Sequence, residues 1–140
     1  MRHHILIIVL VLILGACQKD AQSSKTDLLA KNWQSDEVQT TILGFRGAIY
    51  KKGATSNLTD FSKLRFYFRK DGTADLIDMN GNKVTGLWKF TNNETQIEVL
   101  AKPENRILNI INLSANNFDF DTKVNDNGQT IDATFKMILE

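Results

Sequence analysis

The sequence predicts an all-β domain, an eight-stranded antiparallel up-and-down barrel entered through a short helical turn. Three observations predict it. From Trp33 to Leu139 apolar and polar residues alternate in short runs, the period of two that half-buried strands show. Turn chemistry separates the runs at short intervals, so consecutive strands pair antiparallel. Only one long connection, Leu43 to Ser62, interrupts the series, whereas a two-sheet sandwich needs several long crossovers. Closure into a barrel removes both sheet edges.

The elements follow in order. Ser24 and Asp27 frame a helical turn through Leu28 and Leu29. Trp33 to Ile42 is the first strand. Lys63 to Arg69 sets Leu64, Phe66 and Phe68 on one face against Arg65, Tyr67 and Arg69. Lys70-Asp71-Gly72 turns the chain into Thr73 to Met79, which ends at Asn80-Gly81, a strong hairpin signal. Val84 to Phe90 places Val84, Gly86, Trp88 and Phe90 together, and Thr95 to Ala101 is the next strand. Pro103, the only proline, falls in a turn where its missing N–H breaks no ladder. Arg106 to Leu113 is apolar on both faces. Asn117 to Val124 alternates Phe118, Phe120, Thr122 and Val124 with Asp119, Asp121 and Lys123. Gln129 to Leu139 closes the chain, with Ile131, Ala133, Phe135, Met137 and Leu139 on one face. Trp33, Phe68, Phe90, Phe118 and Met137 map to the helical end and are expected to plug it.

The N-terminus has a different logic. Arg2, His3 and His4 precede ten apolar residues, Ile5 to Leu14, about half the length of a spanning helix. This is the build of an export signal. Leu14-Gly15-Ala16-Cys17 resembles a bacterial lipobox, and the resemblance implies cleavage before Cys17 and acylation of that cysteine. Two or more acyl chains anchor a protein stably where one does not. The expected organisation is signal peptide 1–16, lipidated Cys17 with a flexible tether to residue 25, and a barrel over 26–140. Gln18 lacks the Asp that resembles an inner-membrane retention signal, so the outer membrane is the expected location. Gln18-Lys19-Asp20 looks like the start of a surface-export tag, which Ala21 interrupts, and the choice between the periplasmic and surface faces stays open.

Composition excludes several functions. Of 140 residues, 17 are basic and 16 acidic, without the excess of a nucleic-acid binder. Both histidines lie in the signal, so the mature chain has no imidazole for acid–base or metal chemistry. The single cysteine is the expected lipid anchor, and no intrachain disulfide can form. Asp119, Asp121, Asp126 and Asn127 miss the calcium-loop pattern, since its first position falls on Lys123. No enzyme, cofactor or metal is therefore expected.

The barrel as a whole resembles the lipocalin-like domains of small lipoproteins from Gram-negative bacteria. The resemblance covers Leu28 to Leu139. It rests on the Leu28-Leu29 pair before Trp33, on Phe66-Tyr67-Phe68-Arg69-Lys70-Asp71-Gly72-Thr73, and on Gly86-Leu87-Trp88-Lys89-Phe90. Two departures stand beside it: Lys31-Asn32-Trp33 replaces the usual Gly-x-Trp start, and residues 129 to 140 hold no arginine.

Two functions fit such a barrel. One is a binder of a small hydrophobic ligand. Its pocket is expected at the loop end among Leu64, Phe66, Val84, Val99, Ile107, Asn109, Thr122, Ile131 and Ala133, with Asn109 and Thr122 as polar groups. Phe45, Ile49 and Tyr50 in the long connection would form a lid. The other is a filled barrel acting as a cell-envelope interaction or inhibitor module.

Overall fold

The computed structural model describes residues 23–140 except Asn127. The predicted signal, Cys17 and the tether as far as Gln22 lie outside the described residues. Ser24 caps α1 (Lys25–Leu29) as expected: its Oγ accepts from the Asp27 N–H at 3.1 Å. So short a helix needs tertiary support. Leu29 is fully buried, and Lys25 Nζ donates to the Glu94 carbonyl at 2.8 Å.

Nine strands follow: β1 (Asn32–Ile42), β2 (Phe45–Lys51), β3 (Arg65–Phe68), β4 (Thr73–Ile77), β5 (Lys83–Thr91), β6 (Gln96–Ala101), β7 (Glu104–Leu113), β8 (Asn117–Asp126) and β9 (Gln129–Leu139). All pair antiparallel, and β1 closes on β9 from Trp33 to Thr40 to complete an eight-stranded barrel. The eight predicted strands are all present.

The ninth strand corrects the long connection. Leu43 and Gly44, both at positive φ, make a tight turn that folds Phe45–Lys51 back on β1. A leucine at positive φ is disfavoured, so the dipeptide gives no ordinary hairpin signal. The remaining connection runs only from Lys52 to Leu64. The other edge of β1 is consequently divided: Asn32–Gln34 pair with β3, and Glu37–Ile42 pair with β2.

The helical end is packed solid. Trp33 packs against Phe118 with ring centroids 5.8 Å apart, Phe68 meets Trp88 at 5.7 Å, and Phe118 lies 4.8 Å from Phe120. The Trp33 indole donates to the Leu29 carbonyl at 2.9 Å, which fastens the helix over this plug. Trp88 secures the β3–β4 turn in two ways. Its backbone N–H donates to Gly72 at 2.7 Å and its indole to the Arg69 carbonyl at 2.9 Å. Gly72 itself adopts φ 84, which explains a glycine after Lys70-Asp71.

Candidate functional site

Above the plug the side chains become smaller and the interior opens. A cavity of about 460 Å³ lies at the opposite end of the barrel. Its floor is Phe66, Phe120 and Phe135; Val38, Leu76, Val84, Leu108, Ile131 and Ala133 make its walls. One side is finished by Ile49, Thr59, Phe61 and Leu64. Asp78, Asn80, Asn82, Lys102, Arg106 and Asn125 stand at the mouth. A volume of this size lies within the range that small-molecule sites occupy.

Two hydroxyls on the inner side of the walls are already engaged. Thr122 Oγ1 donates to the Ile107 carbonyl at 2.8 Å, and Thr40 Oγ1 donates to the Asp132 carbonyl at 3.1 Å. At the mouth Asp78 accepts from the backbone N–H groups of Asn80 and Asn82, each at 2.8 Å, and from Asn82 Nδ2 at 3.0 Å. Those bonds, the Asn82 side chain foremost, hold its carboxyl below the usual range, so Asp78 serves to fix the turn. The deep surface therefore offers mainly apolar contact, which suits an apolar occupant.

Six predicted site residues line this cavity: Leu64, Phe66, Val84, Thr122, Ile131 and Ala133. Val99 is buried in the wall without lining the cavity. Ile107 and Asn109 are corrections. Ile107 is 43% exposed on the outer face, and Asn109 faces out to accept from Gln96 Nε2 at 2.8 Å. Leu108 and Arg106 take the inward positions instead. Val99 pairs with Arg106 and Ile97 with Leu108, so the inward parity of β6 imposes even numbers on β7. A bulge between Ile110 and Asn112 then moves Leu113 to the inner side, which is why no simple alternation was visible.

The predicted lid separates into three fates. Ile49 lines the cavity, Tyr50 is buried in the wall, and Phe45 stands 81% exposed near the tip of the β1–β2 hairpin. The cover over the β2 side is Phe61, which meets Tyr50 and Phe135 edge-on at 5.9 Å each. Sequence reasoning missed it because a lone phenylalanine between Asp60 and Ser62 has no periodic neighbours. Cys17 lies outside the described residues. Among those described, no group of three His, Cys, Asp or Glu is placed to hold a metal. Asp121, one of the carboxylates considered for calcium, accepts from Thr134 and pairs with Arg46 at 3.2 Å.

A closed eight-stranded antiparallel barrel, plugged at a helical end and open at the other, has the lipocalin-like fold. A crystal structure of a lipocalin-like protein from Bacteroides uniformis is similar, with TM-score 0.50 and 13% identity, covering 81% of this chain and 99% of the other. No protein-family model and no curated protein matches the sequence.

Proposed function

We propose that this chain is a membrane-anchored, non-enzymatic lipocalin-like lipoprotein that takes a small hydrophobic ligand into the open half of its barrel. The observation that carries the reading is the cavity of about 460 Å³, mostly apolar in depth, with Thr122 already hydrogen-bonded in its wall and charged and amide groups at its mouth. A filled barrel serving purely as an interaction module would have side chains in that space. The anchor reading rests on the basic start, the apolar run and Leu14-Gly15-Ala16-Cys17, and Gln18, where an inner-membrane retention signal would have Asp, supports the outer membrane as its location.

Native mass spectrometry of protein made in its own host tests the ligand, with a retained small molecule as the expected result. Val84→Phe and Ala133→Phe place a ring in the cavity and should abolish retention while leaving the circular dichroism of the barrel intact. Retention by both variants would refute the assignment of this cavity. Cys17→Ala should accumulate as an unprocessed precursor without acyl mass. Normal processing and membrane recovery of that variant would remove the anchor from the proposal.

A further inference from the structure

The two outer walls of the barrel differ in kind. The wall formed by β1, β2, β8 and β9 is laced with charge: Lys136 pairs with Glu37 at 2.9 Å, Lys123 with Asp132 at 3.3 Å, and Arg46 with Asp121 at 3.2 Å. Across the barrel, β5, β6 and β7 turn apolar side chains outward. Leu87 is 57% exposed, Leu100 39%, Ile107 43% and Ile111 56%. Leu87 and Leu100 are direct cross-strand partners, and Ile107 sits diagonally beside Leu100. Glu98, the acid on this wall, is neutralised by Lys89 at 2.9 Å.

The position of the chain start gives this wall an occupant. Lys25, the first helical residue, reaches the Glu94 carbonyl in the β5–β6 turn, so the tether leaves the domain at the foot of the apolar wall. The flexible tether that the sequence predicts, counted from Cys17 to Ser24, would have a root-mean-square reach of roughly 15 Å. Leu87 and Leu100 each stand four residues up their strands from the turn, a rise of about 13 Å. The anchor's reach thus matches the distance over which the apolar residues are spread.

We infer that the outer face of β5–β7 rests on the lipid bilayer that holds the Cys17 anchor, with Leu87, Leu100, Ile107 and Ile111 in the interfacial layer. The inference rests on the anchor reading of the previous subsection. A patch of four partly exposed side chains is small for binding from solution. Tethering changes this, because an intramolecular contact works at a high effective concentration. The charged wall then faces water, and the mouth opens beside the membrane surface.

The test uses the full-length acylated protein in vesicles of phosphatidylethanolamine and phosphatidylglycerol. An environment-sensitive fluorophore is attached at Asn105→Cys, beside Leu100, or at Asp132→Cys on the charged wall near the same end. With Cys17 acylated, each variant has one free thiol. A blue shift and quenching by lipid-borne nitroxide at position 105, and neither at 132, is the expected result. Leu87→Glu combined with Ile107→Glu should erase the quenching at 105 while acyl mass and membrane recovery persist. Acylated protein with equal, water-like signals at both positions overturns the inference and leaves the anchor standing. Shielding at 105 without lipid quenching, together with a doubled mass, overturns it in favour of a second copy on this face. Absence of acyl mass on Cys17 removes the anchor, and the inference goes with it.

Discussion

Asp75 shows how much one outward-facing side chain can be made to carry. It is 5% exposed although it lies on the outer face of the sheet, because Arg69, Lys83 and Thr85 converge on it. The Thr85 hydroxyl at 2.6 Å, then the Arg69 guanidinium, draw its pKa from 3.8 down to about 2. A carboxyl depressed in the folded state stabilises above its unfolded pKa and loses that contribution as pH falls through the folded value. The acid-induced loss of stability between about pH 4 and about pH 2 should therefore shrink in Asp75→Asn, with lower stability at neutral pH. Urea midpoints of both proteins across that window check it; parallel curves would show that the carboxylate is thermodynamically idle. Ser35 is the converse case, a buried hydroxyl among the described residues with no hydrogen-bond partner in the protein.

At the scale of elements, the strands that the sequence displayed most openly were those whose inner faces carry aromatics. Phe66, Phe68, Phe118, Phe120, Phe135 and Trp88 all point inward as the alternation required. What stayed hidden was decided by partners. The inner face of β7 was legible only through β6, and β2 was masked by two glycines and a leucine in a turn that disfavours it. The two hydrogen bonds from Trp88 to the Arg69–Gly72 turn give a physical reason for the two aromatic motifs to occur together: one completes the backbone bonding of the other. Gly86 links β5 to β6 by close approach. A Cβ there would lie 2.4 Å from the Leu100 carbonyl oxygen and 2.8 Å from the Ala101 Cβ. Gly86→Ala must push the strands apart and should cost roughly 1–3 kcal/mol, read from the denaturation midpoint. An unchanged midpoint would mean that this contact yields freely.

For the whole molecule, the division into a packed end and an open end follows from side-chain size along the strands. Bulky residues crowd the layer near α1, whereas Val84, Ala101, Thr122 and Ala133 leave the other layer unfilled. That gradient could be read before the barrel was seen, and six of the nine expected cavity residues lie on it. The cover could not, because Phe61 depends on a loop whose path is set by contacts with Tyr50 and Phe135.

The divided edge of β1 has a consequence for how the barrel meets solvent over time. Since β1 gives one half of that edge to β2 and the other to β3, no ladder joins β2 to β4. The Lys52–Leu64 segment bridges the interval with a few bonds, Leu58 and Thr59 both donating to the Ile49 carbonyl. Opening there breaks no continuous ladder, whereas parting β8 from β9 breaks ten paired positions. In heavy water, amides of Phe45–Ala48 and of the bridging segment should take up deuterium first, and those along β8 and β9 last. Uniform uptake around the ring would show that the bridge is as firm as a strand. With the predicted gradient, the barrel breathes through one sector, which borders the cavity at Ile49, Thr59 and Phe61.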